Sequence, residues 1–314
     1  MSLDEFQLIR HHFSGLTASQ RGVALGIGDD CALLQIPEGQ ELAVTTDTLV
    51  AGRHFPEQTA AYDIGWKALA VNLSDLAAMG ADPRWFTLAL TLPDAGPAWL
   101  TDFTRGLKAV ADAHHVALVG GDTTRGALSL TITAMGLVPM GRGTRRSRAQ
   151  AGDCVCVTGT LGDAALALQM LGDASLPPSL RERLDRPQPR VQTGIVMREF
   201  AHAAIDLSDG LAGDLNHVLE ASGVGAQVHV KDLPMSAEFA RLAPAASRYA
   251  LQLQGGDDYE LCLCIPPEHL QAAREACHVP LTVIGRITDK PGLRLLDAEG
   301  TQLHLQPAGY RHFS

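Results

Sequence analysis

Alternating apolar and polar positions, or unbroken β-branched runs, mark eight stretches of the chain as strands: 41–46 (ELAVTT), 85–92 (WFTLALTL), 115–121 (HVALVGG), 128–138 (LSLTITAMGLV), 153–159 (DCVCVTG), 249–254 (YALQLQ), 260–265 (ELCLCI) and 281–287 (LTVIGRI). Between them the apolar spacing changes to three and four residues. This is clearest over 60–79, where Trp66, Leu69, Leu73 and Leu76 recur and Gly80 follows as a C-terminal cap. Shorter helical patterns cover 97–114, 162–171, 190–202, 209–222 and 267–277. Interleaved strands and helices predict a mixed α/β fold.

The pattern breaks at 139–153, PMGRGTRRSRAQAGD, where proline, glycine and four arginines separate two strand signals. A chain of 314 residues exceeds what one compact core usually serves. Two domains, 1–150 and 151–314, are therefore expected.

Composition and charge change the picture in four ways. With 46% hydrophobic and 19% charged residues the chain is of ordinary globular type, and no apolar run reaches the length of a membrane span. The N-terminal MSLDEFQLIRHHF lacks a basic segment followed by an apolar one, so no secretory signal is read and the cytoplasm is the expected location. A net charge of −10 argues against nucleic acid as a partner. The six cysteines include two C-x-C pairs, Cys154/Cys156 and Cys262/Cys264, inside apolar runs. Without a C-x-x-C pair they read as small buried hydrophobes rather than a zinc site.

Chemistry is concentrated in aspartates at the ends of apolar segments, each beside Gly, Ser or Thr: GIGDD (26–30), TTDT (45–48), NLSDL (72–76), GGDTT (120–124), DLSDG (206–210) and GGDDYE (255–260). One Gly-Asp is ordinary turn chemistry. Six together supply carboxylates and hydroxyls, an all-oxygen donor set suited to a hard cation such as magnesium. Two carboxylates about 4 Å apart repel by roughly 4 kcal/mol at an effective dielectric near 20, so several can converge only with protons or metal. The chain has no Gly-Lys dipeptide and hence no P-loop, and no H-E-x-x-H. The basic loop Arg142, Arg145, Arg146 and Arg148 reads either as a solvated linker or as a phosphate clamp. On spacing alone His54 is a surface histidine and Tyr310 a packed tail residue.

GIGDDCA, TTDTLV, VNLSDLAAMGADP, GGDTTRG, VTGTLGDAA, DLSDGL and GGDDYEL, in this order, resemble the bacterial thiamine-monophosphate kinase family from about Phe6 to Phe313. That family is related to aminoimidazole ribonucleotide synthetase, selenophosphate synthetase and the hydrogenase-maturation protein HypE. The resemblance implies a two-domain, PurM-like α/β architecture. Residues 1–150 would form a metal- and ATP-binding, dimerising domain whose sheet joins a barrel shared by a homodimer. Residues 151–314 would complete the active site, with ATP at the domain junction over several magnesium ions. Position by position, the resemblance assigns magnesium to Asp30, Thr45, Thr46, Asp47, Asp75, Asp122, Asp206 and Asp209, with Asp29 adjacent. It assigns ATP to Gly121, Asp122, Arg146 and Ser208, and thiamine phosphate to His54, Asp257 and Tyr310. Asp47, Asp122 and Arg146 would carry catalysis.

This chain departs from the family pattern twice. Asp257 stands where Glu is usual, and Ser147-Arg148-Ala149-Gln150 replaces Ser-Gly-Ala-Lys. The expected reaction is direct in-line phosphoryl transfer from ATP to thiamine phosphate, by positioning and electrostatics without a phosphoenzyme. The alternatives are another ATP-using enzyme of the same superfamily or a non-catalytic nucleotide-binding regulator. Against the nearest of these, no Cys precedes Cys31, where selenophosphate synthetase carries a reactive one, and the chain ends His-Phe-Ser rather than in the Cys of HypE.

Overall fold

The computed structural model describes residues 22–94 and 96–303, together with His12, Phe13 and Leu16. Tyr310 lies outside the described residues. The chain divides into two compact units: one takes the described residues up to Leu76 and Ala81–Arg142, the other Ala77–Gly80 and those from Gly143 onward.

The first unit runs β1 (Val23–Leu25), β2 (Leu33–Leu34), β3 (Gln40–Val50), α1 (Ala61–Ala78), β4 (Asp82–Leu92), α2 (Pro97–His114), β5 (Ala117–Arg125) and β6 (Ser129–Pro139). Its four-stranded sheet has the order β3-β6-β4-β5, antiparallel except for β4 with β5. Alternation, interrupted by bulges on either side of Trp85 and Phe86, sorts this sheet into two faces. Leu88, Leu90 and Leu92 of β4 and Leu130, Ile132 and Ala134 of β6 are buried on one face. Thr87, Ala89 and Thr91 alternate with Thr131 and Thr133 on the other, where Thr46 and Thr48 of β3 pair with Thr133 and Thr131 through hydroxyl contacts of 2.9 Å. Part of this second face is covered by β1 and β2, whose Val23 and Leu34 pack with Ala32 against Trp85.

Helix α1 forms as its Leu69, Leu73 and Leu76 spacing predicts, and all three are buried. Its end is the expected one: Gly80 takes φ 63°, with Gly80 N bonded to Ala77 O and Ala81 N to Leu76 O. Two glycines let α1 and α2 meet backbone to backbone. A Cβ at Gly65 would stand 2.1 Å from Phe103 O, and one at Gly106 would stand 1.9 Å from Tyr62 O.

In the second unit a single 3₁₀ turn, Arg146–Arg148, precedes β7 (Cys154–Thr158). Then follow α3 (Asp163–Gln169), α4 (Pro178–Asp185), α5 (Val191–Met197), β8 (Ala203–Asp206), α6 (Leu211–Ser222), β9 (Gly225–His229), α7 (Ala237–Leu242), α8 (Arg248–Gln254), β10 (Leu261–Ile265), α9 (Leu270–Ala276), β11 (Leu281–Thr288), β12 (Gly292–Leu296) and β13 (Gln302–Leu303). Seven strands form one sheet, β13-β12-β9-β11-β7-β10-β8, with β8 at an edge. Helix α6 lays Leu211, Leu215, Val218 and Leu219 onto it, the spacing of one helical face.

YALQLQ, expected as a strand, is helix α8. Leu251 enters a cluster with Phe239 and Leu180, while Leu253 enters the sheet's own core. A seven-residue helix between two cores buries residues in different directions, and over so short a run this imitates alternation. Strands β8 and β9 escaped the pattern because AAID and GAQVH are too short or too small to carry one.

Candidate active site

The first unit places its candidates along β3 and α1. Thr45 and Asp47 share the β3 face that looks toward α1, and Thr46 takes the opposite face. Thr45 Oγ1 donates to Asp75 Oδ2 at 2.5 Å. Three residues earlier on α1, Asn72 Oδ1 accepts the backbone N–H of Asp47 at 3.2 Å, and its Nδ2 donates to Ala68 O. That bond occupies backbone on the outer side of an edge strand and fixes β3 against the helix. In the turn after β3, His54 Nδ1 accepts the Val50 N–H at 2.9 Å, which leaves the ring proton on Nε2. Asp29 and Asp30 lie in an exposed turn, where Asp30 N donates to Asp29 Oδ1.

Gly121 and Asp122 are on β5, at the other edge of the sheet. A Cβ at Gly121 would stand 2.0 Å from Leu88 O, so strand pairing alone demands glycine there. Asp122 pairs in register with Ala89, which places it on the face of Thr46 and Thr48, opposite Asp47. The two carboxylates thus lie on different faces and on edge strands three steps apart, about 14 Å at 4.8 Å per step. Among the described residues no group of three or more His, Cys, Asp and Glu side chains stands close enough to hold a metal.

The second unit draws two motifs together at the edge strand β8. Asp206 ends β8 opposite Leu261, the first residue of β10, so the loop after one strand and the loop before the other share an edge. Tyr259 N donates to Leu207 O at 2.8 Å and Asp257 N to Ser208 O at 2.9 Å. A Cβ on Gly256 would stand 2.5 Å from Ser208 O, so glycine there is what allows the approach. Asp257 and Tyr259 hold φ of 67° and 48°, a conformation that costs most L residues free energy and persists only where neighbours fix it. Here the neighbours do so. Asp258 is buried and accepts the Gly162 N–H with both oxygens, and burial pushes its carboxyl well above the usual range. Glu260 lies between Arg183 and Arg190 and also accepts from Thr158 Oγ1 at 2.7 Å. Arg146 is exposed in its 3₁₀ turn, and its carbonyl accepts a bond from Ser222 Oγ at 2.7 Å.

The donor types fit magnesium: hydroxyls and carboxylates only, with Thr45 and Asp75 already in contact.

Residues 28–138 match the AIR synthase related protein N-terminal domain, and 150–298 match its C-terminal domain. Thiamine-monophosphate kinase of Escherichia coli K12 is 47% identical over 324 aligned residues, spanning 100% of this chain and 99% of the relative. The chain belongs to the thiamine-monophosphate kinase family.

The crystal structure of thiamine-monophosphate kinase from Stenotrophomonas maltophilia K279a is 49% identical, with a TM-score of 0.87 over 94% of this chain and 97% of that one. AaThiL complexed with AMPPCP and TMP is 29% identical, with a TM-score of 0.78 over 100% of this chain and 99% of that one. Against the family pattern, Asp257 in place of Glu has a local reason, because Asp tolerates a left-handed backbone better than most residues. The candidate set left out Asn72, Arg183, Arg190, Asp214 and Ser222. Two of them carried a local mark: Asn72 opens the NLSDL motif, and Asp214 follows Gly213 in the first turn of a helix.

Proposed function

We propose that this chain transfers the terminal phosphoryl group of ATP to thiamine phosphate, forming thiamine diphosphate. The observation that carries this is the end-to-end 47% identity with the E. coli kinase. The AaThiL structure, which holds an ATP analogue and TMP together, supports a site that takes both substrates at once.

Magnesium would be held by Asp30, Thr45, Thr46, Asp47, Asp75, Asp122, Asp206 and Asp209, and when bound it supplies charge neutralisation between phosphates. Gly121, Arg146 and Ser208 hold the nucleotide, while His54, Asp257 and Tyr310 hold thiamine phosphate. The acceptor, a phosphate monoester with a second pKa near 6, is already largely dianionic at neutral pH, so no residue need remove a proton from it. The chain's part is orientation: the Arg146 guanidinium meets charge on the transferring group, and Asp257 faces the cationic end of thiamine phosphate. In this reading residues 1–150 carry the metal and nucleotide groups and the dimer contact, and 151–314 complete the site. The homodimer is supported by the open face of the four-stranded sheet, where Leu42 and Val44 are exposed alongside Asp122's face. A cytoplasmic location accords with the finding that no described helix is long and apolar enough to cross a membrane.

The test is ADP release in the presence of ATP and magnesium. Release should depend on thiamine phosphate, free thiamine should give none, and Asp47→Asn should abolish turnover without lowering the Tm of the metal-free protein. Thiamine phosphorylated as fast as thiamine phosphate would overturn the proposal.

A further inference from the structure

The loop carrying Ser208 and Asp209 is held from the helix side by one buried carboxylate. Asp214, in the first turn of α6, is 4% exposed. Its Oδ2 accepts the backbone N–H of Ser208 at 3.0 Å and that of Asp209 at 3.1 Å. On the other side, the carbonyl of Ser208 accepts the N–H of Asp257. Both ends of residue 208 are therefore pinned, its N–H by α6 and its carbonyl by the 255–260 loop. Gly210, at φ 107°, closes the loop against Gln254 and Gly255. With the backbone fixed on two sides, the Cα–Cβ bonds of Ser208 and Asp209 are fixed in direction.

We infer that Asp214 is the positioning residue of the nucleotide and metal site: one oxygen, receiving two successive N–H groups, sets the direction in which Ser208 and Asp209 present their own oxygens. The inference rests on the kinase reading above and names a residue which that reading does not use. Burial supports it. Sealing a carboxylate under a loop costs hydration that an alanine or leucine would not lose. What the carboxylate provides in return is an acceptor at one fixed point.

Asparagine separates the acceptor from the charge, since its single carbonyl oxygen can take the place of Oδ2 and receive both N–H groups. Glutamate does the opposite, keeping the charge and moving the oxygen by one methylene. Calorimetric binding of a non-hydrolysable magnesium–ATP analogue, with steady-state kinetics and Tm, should rank the variants. Asp214→Asn should stay within threefold of the unaltered chain. Asp214→Glu and Asp214→Ala should weaken analogue binding and lower kcat at least tenfold, with KM for thiamine phosphate changed less than threefold. If Asp214→Ala does not fold, the Asn and Glu variants carry the comparison. Asp214→Glu behaving like the unaltered chain would overturn the inference, and so would Asp214→Asn as impaired as Asp214→Ala. If the unaltered chain binds the analogue but makes no ADP with thiamine phosphate, the kinase reading fails, and the binding ranks alone decide the role of Asp214.

Discussion

Glu260 has no exposed surface, yet it stays ionised because it lies against two guanidiniums and a threonine hydroxyl. Burial pushes its carboxyl up, and the bonds and charge of Arg190, then Arg183, more than reverse this and hold it below its ordinary value. The sign follows from that direction. A depressed folded pKa contributes stability that is complete above the ordinary carboxylate range, near 4.5, and is lost as the pH falls below it. Removing one partner leaves the others buried without compensation, so Glu260→Ala should cost about 3–5 kcal/mol at neutral pH. Denaturant titrations at pH 7 and pH 4 should show that loss, with the gap between variant and parent narrowing at the lower pH. A gap that widens on acidification would contradict the pairing. Little of this was legible in the sequence, because Arg183 and Arg190 fall 77 and 70 residues from Glu260 and share no motif with it. The cysteines, in contrast, were legible: Cys154, Cys156, Cys262 and Cys264 are all free and buried, and burial raises Cys156 to about 12.

At the scale of elements, α6 joins two loops that the sequence treats as separate. Asp214 at its first turn holds the Ser208–Asp209 backbone. Ser222 at its last turn donates to Arg146 O and accepts from Ala149 N at 3.1 Å. Arg146 and Arg148, both exposed in the same 3₁₀ turn, are thus unlike in one respect: the bond to Ser222 falls on Arg146. Arg146→Ala should lower kcat tenfold or more with little change in KM for ATP, which is the sign of an interaction made mainly in the transition state. Arg148→Ala should change neither by more than twofold. Ser222→Ala should give a smaller, severalfold loss in kcat, read from the same assay. Equal effects from the two arginines would return the turn to a solvated linker. Helix and strand type were legible where the apolar period ran long enough, as in α1 and β6. The period failed at α8, where burial in two cores mimics a strand.

At the scale of the whole molecule, the open face of the four-stranded sheet stands out. Val44 is 56% exposed and Leu42 is 38%, on the face that also carries Thr46, Thr48, Thr131, Thr133 and Asp122. The proposed homodimer would cover that face. Val44→Glu should shift the sedimentation of the micromolar protein from two copies toward one while leaving the Tm nearly unchanged. An unaltered mass would place the dimer contact elsewhere.

By itself the sequence determined the mixed α/β class, the longer elements, the cap at Gly80, the oxygen-only character of the aspartate motifs and the family. All of these are properties of short windows or of ordered motifs, which chain chemistry specifies locally. Tertiary structure decided which motifs meet. DLSDG and GGDDYE lock together because β8 and β10 are antiparallel neighbours, a pairing across some fifty residues that no window contains. The same pairing rules set Asp47 and Asp122 apart, on opposite faces of one sheet, because side-chain direction in a strand depends on a register that only the folded sheet fixes.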